Sequence, residues 1–503
     1  MKHLILITVL SLTKIITAQT SPEWNSAEIL QGIKKLHTAG SVLYIAAHPD
    51  DENTRLLGYL AKEKNFRTGY LSLTRGDGGQ NLIGKEQGEA LGLIRTQELL
   101  AARRTDGAEQ FFTRANDFGF SKNPEETFTI WEKNQILADV VLAIRKFKPD
   151  VIICRFPTTG EGGHGHHTAS AILAVEAFDL AADPTKFPEQ LKQTQVWQAK
   201  RILWNTFNFG GNNTTSPDQL KLDVGTYNPL LGLSYGEVAA NSRSMHKSQG
   251  FGSAKQRGES IEFFKLLKGT PAEKDIFEGL DASWKRFPET AKLDVLISKC
   301  IAEFKPEQPQ LSLPALEGIY KSIQSLDDKD PNVRYWKNIK LAACQELILQ
   351  CAGLWMEAYT TEYSAVPGNE ISISAQIIAR NPGNVQLKSI DFPGQTSKAT
   401  ALQLTQNKLE TFEQKEILAK ATPYSAPYWL VQSHSVGMYT VNDSDLIGSP
   451  ENKNTQKVVY HLSIDGNDFM IERPLVFKST DPVKGEVYRP FEILPPVTIQ
   501  ISD

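Results

Sequence analysis

Apolar residues in the first half of the chain gather into short continuous runs, and between the runs they recur at helical spacing. Residues 41–47, 68–74, 109–113, 150–156 and 196–207 read as strands, the last carrying Trp197 and Trp204 as core residues. Residues 26–38, 54–64, 90–104, 131–146 and 168–178 read as helices. Within 90–104, Leu93, Leu99 and Leu100 point inward while Arg95 and Glu98 lie on a different face. Repeated alternation of strand and helix predicts an α/β, Rossmann-like domain with a mainly parallel sheet flanked by helices. The pattern then changes twice. Residues 275–355 carry long helical periodicity, enough for two to four helices, and residues 359–503 break into short β-rich runs separated by Gly, Asn and Pro turns. Those runs predict an antiparallel β-sandwich resembling an immunoglobulin-like module.

The expected organisation is therefore a leader at 1–18, the α/β domain at 19–270, a helical segment at 271–357 and the β-sandwich at 358–503. The leader has Lys2 and His3, an apolar run over 4–12 and small residues ending in Thr17-Ala18, the layout of a cleavable secretory signal peptide. A membrane-spanning helix needs roughly 20 apolar residues, more than any stretch here supplies, so the mature protein is expected to be secreted or periplasmic with no integral membrane segment. Composition supports a soluble chain: 503 residues, 40% hydrophobic, with a formal net charge of -4. Without a dominant basic run there is no footprint for nucleic acid. Of four cysteines, Cys344 and Cys351 on one helix would stand about 10.5 Å apart along its axis, beyond disulfide reach, so buried free thiols are expected.

Chemistry concentrates at two strand ends. The stretch 41–52, SVLYIAAHPDDE, passes abruptly from an apolar strand into His48, Asp50, Asp51 and Glu52. Imidazole and carboxylate are ligands suited to zinc, and a catalytic site needs three protein ligands with a position left for water. The third is sought in PTTGEGGHGHHTAS, which follows the strand at 150–156 and brings His164, His166 and His167 to a second carboxyl end. Glu52 reads as a solvated residue at a helix start, where the dipole favours a carboxylate. The glycine-rich loop 75–81, RGDGGQN, lacks the Lys-Ser/Thr ending of a phosphate-binding loop and reads as a tight turn at the site. Residues 234–252 read as a pocket rim, with Arg75, Arg243 and His246 open to either substrate contact or a structural role.

Ala47-His48-Pro49-Asp50-Asp51 and His164-Gly165-His166-His167 together resemble the signatures of the PIG-L or LmbE-like zinc de-N-acetylases. Arg95-Thr96-Gln97-Glu98 and His246-Lys247-Ser248-Gln249 are similar to two further family stretches, and the resemblance spans residues 41–250. It implies one zinc ion on His48, Asp51 and His167, Asp50 as general base and His164 as acid or oxyanion stabiliser. It also implies an N-acetylated amino sugar or glycoconjugate as substrate, for which Arg75, Arg95 and His246 are the expected contacts. The family has Pro-Asp where this chain has Gly165-His166, so His166 is a substitute orienter, a competing ligand or a solvent-facing bystander, the last being preferred. A zinc amidase acting on another amide, such as a thiol conjugate, and a non-catalytic glycan-binding protein are the competing readings.

Overall fold

The computed structural model describes residues 21–497 apart from 210, 289, 395 and 454; the expected signal peptide lies outside the described residues. Its central sheet holds β1 (Ser41–Ala46), β2 (Arg67–Ser72), β3 (Glu109–Phe112), β4 (Val151–Cys154), β5 (Arg201–Thr206), β6 (Leu220–Asp223) and β7 (Ile261–Gly269) in the order β3-β2-β1-β4-β5-β7-β6. The first five are parallel, and β7 runs antiparallel to both β5 and β6.

β1 is buried on both faces, which is why its sequence is an apolar run without alternation. Val42, Tyr44 and Ala46 face a layer containing α2 (Thr54–Gly58), α3 (Glu89–Asp106) and α7 (Tyr235–Arg243). Leu43 and Ile45 face the opposite layer, built on α5 (Lys133–Phe147) and α6 (Gly165–Leu180). Each such aliphatic side chain contributes about 1.5–3 kcal/mol on full burial, so the two layers fix the strand firmly. From β1 the chain moves outward through β2 and β3, then returns to the other side of β1 as β4. The order reverses between these two strands, and the crevice at their carboxyl ends is where open α/β sheets bind ligands. Register pairs Ile45 with Cys154, and Arg155 N donates to Ile45 O at 3.0 Å, so both strands end at the same height.

The described residues divide into two compact units: one of residues 24–348 with 426–452, the other of the described residues on either side. The helices expected as a separate segment, α8 (Ala291–Glu303), α9 (Leu313–Gln324) and most of α10 (Pro331–Cys351), thus belong with the α/β unit. Side chains tie them there: Trp284 Nε1 donates to Leu36 O at 2.9 Å, Arg286 pairs with Asp150 at 2.8 Å, and Lys340 Nζ reaches Lys35 O at 2.6 Å. α4 (Pro124–Ile130) precedes α5, and α1 (Ser26–Leu36) precedes β1.

The second unit is an eight-stranded sheet of β8 (Leu354–Thr360), β9 (Glu370–Ala379), β10 (Val385–Asp391), β11 (Ser397–Gln403), β12 (Glu410–Ile417), β13 (Lys457–Ile464), β14 (Asn467–Asp481) and β15 (Gly485–Pro490). Seven run β11-β10-β13-β14-β8-β9-β12, and β15 adds to β14. All pairs are antiparallel except β8 with β14. All four cysteines are free and buried, and no described helix is long and apolar enough to cross a membrane.

Candidate active site

The turn after β1 delivers His48, Asp50 and Asp51, and the loop after β4 delivers His164, His166 and His167. Ligand atoms of His48, Asp51 and His167 lie within 4.8 Å of one another, as do those of a second set, His48, His164 and His166. Asp51 sits between its two imidazoles, with Oδ2 3.1 Å from His48 Nδ1 and Oδ1 3.4 Å from His167 Nε2. His167 Nδ1 donates to Gly162 O at 2.9 Å, which fixes the proton there and leaves the Nε2 lone pair facing Asp51. Two imidazole nitrogens and a carboxylate with one tautomer already set fit a tetrahedral zinc ion with a position to spare. Burial raises the Asp51 carboxyl, but His167 and His48 outweigh it and hold the group well below the usual range. Burial lowers His48, but Asp51 and Asp117 overcome that and raise it.

Asp50 has a backbone φ of 97°, a conformation that L side chains rarely adopt. Arg95 Nη2 donates to its Oδ2 at 2.8 Å and also to Pro49 O, Arg243 Nη1 donates to Asp50 O at 2.8 Å, and Asp50 N donates to Glu52 Oε2 at 2.9 Å. Within this clamp burial, opposed by Arg95, raises the carboxyl's pKa above the ordinary aspartate value.

His164 is the N-cap of α6, its Nδ1 accepting from His166 N at 3.1 Å. The proton of the neutral ring is therefore on Nε2. Burial and then His48 and His167 lower its pKa to about 4, so the expected protonated imidazole is instead a neutral hydrogen-bond donor at pH 7. The exposed Phe120 ring lies beside it at 5.1 Å.

Several expectations are corrected by burial. His166 is no bystander in solvent: it is fully buried, its Nδ1 3.1 Å from His48 Nε2 and its ring stacked on Trp131 at 4.6 Å. Glu52 is also buried, not solvated, and its Oε1 meets His246 Nε2 at 2.8 Å and Arg103 Nη2 at 3.2 Å. His246 is completely buried against Glu52, Arg75 is buried between aromatic rings, and Arg95 is spent on Asp50 and the turn, so none of the three presents itself to a substrate. Asp117 lay outside the sequence reasoning, because nothing in RANDFGF marks it. Its Oδ2 stands 3.9 Å from His48 Nε2 and its Oδ1 3.7 Å from His166 Nδ1.

Beside the cluster, at the ends of β1, β4 and β5, lies a cavity of about 550 Å³. Its polar wall includes Asn53, Arg55, Arg155, Asn208, Arg243 and Glu262. It meets the cluster through Glu52 and Arg243 rather than through the imidazoles.

Residues 43–178 match the family model described as PIG-L, GlcNAc-PI de-N-acetylase. The chain is 27% identical over 201 residues to a mycothiol S-conjugate amidase of Streptomyces coelicolor, covering 37% of this chain and 68% of that protein. It is 27% identical over 180 residues to a 1D-myo-inositol 2-acetamido-2-deoxy-alpha-D-glucopyranoside deacetylase of Geodermatophilus obscurus, covering 32% and 60%. Against a diacetylchitobiose deacetylase of Thermococcus kodakarensis identity is 30% over 145 residues, covering 28% and 51%. The chain thus spans less than two thirds of the latter two relatives.

Proposed function

With residues 43–178 belonging to the PIG-L family, we propose that the protein is a zinc-dependent hydrolase that removes the N-acetyl group of an amino sugar or N-acetylglucosamine-containing glycoconjugate and releases acetate. The observation that carries this reading is the convergence of His48, Asp51 and His167 at the β1/β4 reversal with the Asp50 carboxylate clamped beside them. The deacetylase activities of the Geodermatophilus and Thermococcus relatives support the amide and the sugar.

His48, Asp51 and His167 would hold the ion, which supplies acidification of water toward a pKa of ~7 and polarisation of the amide oxygen. Asp50 takes the proton of the attacking water, its raised pKa making it a better base than an ordinary aspartate. His164 donates from Nε2 to the developing oxyanion, a contribution worth about 10²–10³-fold in comparable sites. The proton held by Asp50 passes to the departing nitrogen as the C–N bond breaks. Water oxygen ends in acetate and the sugar leaves as a free amine. The neighbouring cavity, large enough for a small glycoside, is where the rest of the substrate is placed.

For the remainder of the chain the proposal is an exported protein, on the leader reading of 1–18, with the C-terminal strands as an immunoglobulin-like accessory module and no nucleic-acid partner. A second reading, hydrolysis of the amide of a thiol conjugate, is favoured by the likeness to the Streptomyces mycothiol S-conjugate amidase. Metal analysis of wild type beside His167→Ala, with acetate release from N-acetylglucosamine glycosides, tests the main reading. Near-stoichiometric zinc that is lost in the variant, with acetate release by wild type, is the expected result. Zinc without acetate turns the reading to other amides, and no zinc in either protein overturns it in favour of a binding role. Asp50→Asn is expected to keep zinc and lose about 10²–10⁴-fold in turnover.

A further inference from the structure

After Ser425 the chain leaves the strands of the second unit, gives Ala426–Asn452 to the α/β unit, and re-enters the sheet unit at Lys453. This excursion docks along the edge of the α/β unit by backbone pairing: Tyr439 N donates to Arg114 O at 2.8 Å, Asn116 N to Gly437 O at 3.0 Å, and Ala115 bridges Met438. Two of its side chains then reach the glycine-rich loop 75–81. The Arg75 guanidinium lies 3.4 Å from the Trp429 ring centre and 4.2 Å from that of Phe112, and it donates to Pro450 O at 3.0 Å and Ser449 O at 3.1 Å. The Tyr439 hydroxyl donates to Asp77 Oδ1, and both residues are buried.

From Gly76, between those two anchors, the chain makes a turn that runs past Asp77 and is closed by Gly79 N on Gly76 O at 3.2 Å, with Gly76 at a φ of 78°. The turn sits directly on Arg95. A Cβ at Gly76 would fall 2.5 Å from Arg95 Nη1, which itself donates to Gly76 O at 3.0 Å. The same guanidinium, through Nη2, holds Asp50. On its other side Gly78 lies against Gly119 and Asp117, the carboxylate next to His48 and His166. Resting on the proposed hydrolytic role of Asp50, we propose that Trp429 and Tyr439 are positioning residues of the active site, pinning the Gly76–Gly79 turn and through Arg95 setting the place of the general base. None of the sequence matched to the family lies in this excursion, which begins far beyond residue 178.

The test uses the full chain with Tyr439→Phe, Trp429→Ala and Trp429→Phe, measuring kcat and KM on any amide the wild type cleaves, bound zinc, and hydrogen exchange of residues 75–81. A misplaced catalytic group can cost about 10²-fold without touching binding. The expected result is a kcat lowered by about ten- to a hundredfold in Tyr439→Phe and Trp429→Ala, with KM and zinc as in wild type and faster exchange confined to the turn. Trp429→Phe, which keeps a ring on Arg75, recovers most of the rate. An unchanged kcat overturns the proposal whatever the exchange shows, and so does a loss of rate that tracks loss of zinc or unfolding. If wild type cleaves no amide, the proposed function fails on its own terms, and exchange decides the pinning: unchanged protection of 75–81 in Tyr439→Phe overturns it.

Discussion

A non-glycine residue at a φ of 97° costs about 1–3 kcal/mol, and Asp50 keeps it because Arg95, Arg243 and Glu52 each bind the same short stretch of backbone and carboxylate. Glu52 is the hub of that clamp: Oε2 takes the Asp50 N–H and Oε1 takes His246 and Arg103. Burial works to raise its pKa, but His246 and Arg103 pull it from the ordinary 4.5 down to about 2. A carboxyl depressed in the folded state contributes stability that is complete above pH 4.5 and is lost as pH falls toward 2. From the size of the shift the contribution is about 3 kcal/mol. Urea midpoints measured from pH 7 to pH 3 are expected to fall more steeply for wild type than for Glu52→Gln, which starts lower and stays flatter. Parallel curves for the two proteins would remove Glu52 from this role. Glu52 was not legible as a buried residue because Arg103 and His246 stand 51 and 194 positions away, and a third carboxylate in a row looks like a helix dipole partner. That the His48-Asp50-Asp51 turn and the histidines at 164, 166 and 167 meet was legible because residue type and strand-end position agreed, whereas the choice of His167 among those three rested on the family resemblance.

Strand ends and helix starts do the positioning at the next scale. β1 and β4 finish level, and His164 closes α6 by accepting from His166 N, so one imidazole both caps a helix and faces the cluster. These two duties separate by substitution. His164→Ala is expected to lose about 1 kcal/mol of stability with the cap and about a hundredfold in turnover with the proposed oxyanion donor. His164→Asn, a good cap, is expected to restore the melting temperature and leave turnover low; recovery of turnover with the cap would mean that His164 serves the helix alone. Continuous apolar runs made β1 and β4 readable, and helical spacing did the same for α3. The antiparallel β7 and the short α7 were not readable, since IEFFKLLKG and YGEVAANSR carry no strong period and owe their form to the sheet and layer they join.

At the scale of the molecule, the sequence shows where helical and strand-rich regions change over, but not that a stretch inside the strand-rich half belongs elsewhere. Residues 426–452 have too few apolar positions in register to announce a partner, and their pairing with 114–116 joins segments more than 300 positions apart. Replacing them by a short Gly/Ser link removes the buried Trp429, Met438 and Tyr439 from the α/β unit. At about 1.5–3 kcal/mol for each large side chain, the loss is expected to reach about 4 kcal/mol or more, visible as a lowered urea midpoint; an unchanged midpoint would show that the excursion only rests on the surface. The discontinuity also sets an order of events during synthesis. A chain emerging N-terminus first has every proposed metal ligand in hand by His167, yet the turn beneath Asp50 waits for Trp429 and Tyr439. Full hydrolytic competence would then arrive only when most of the polypeptide has been made, so a prematurely ended product carries the signature motifs and a slowed site.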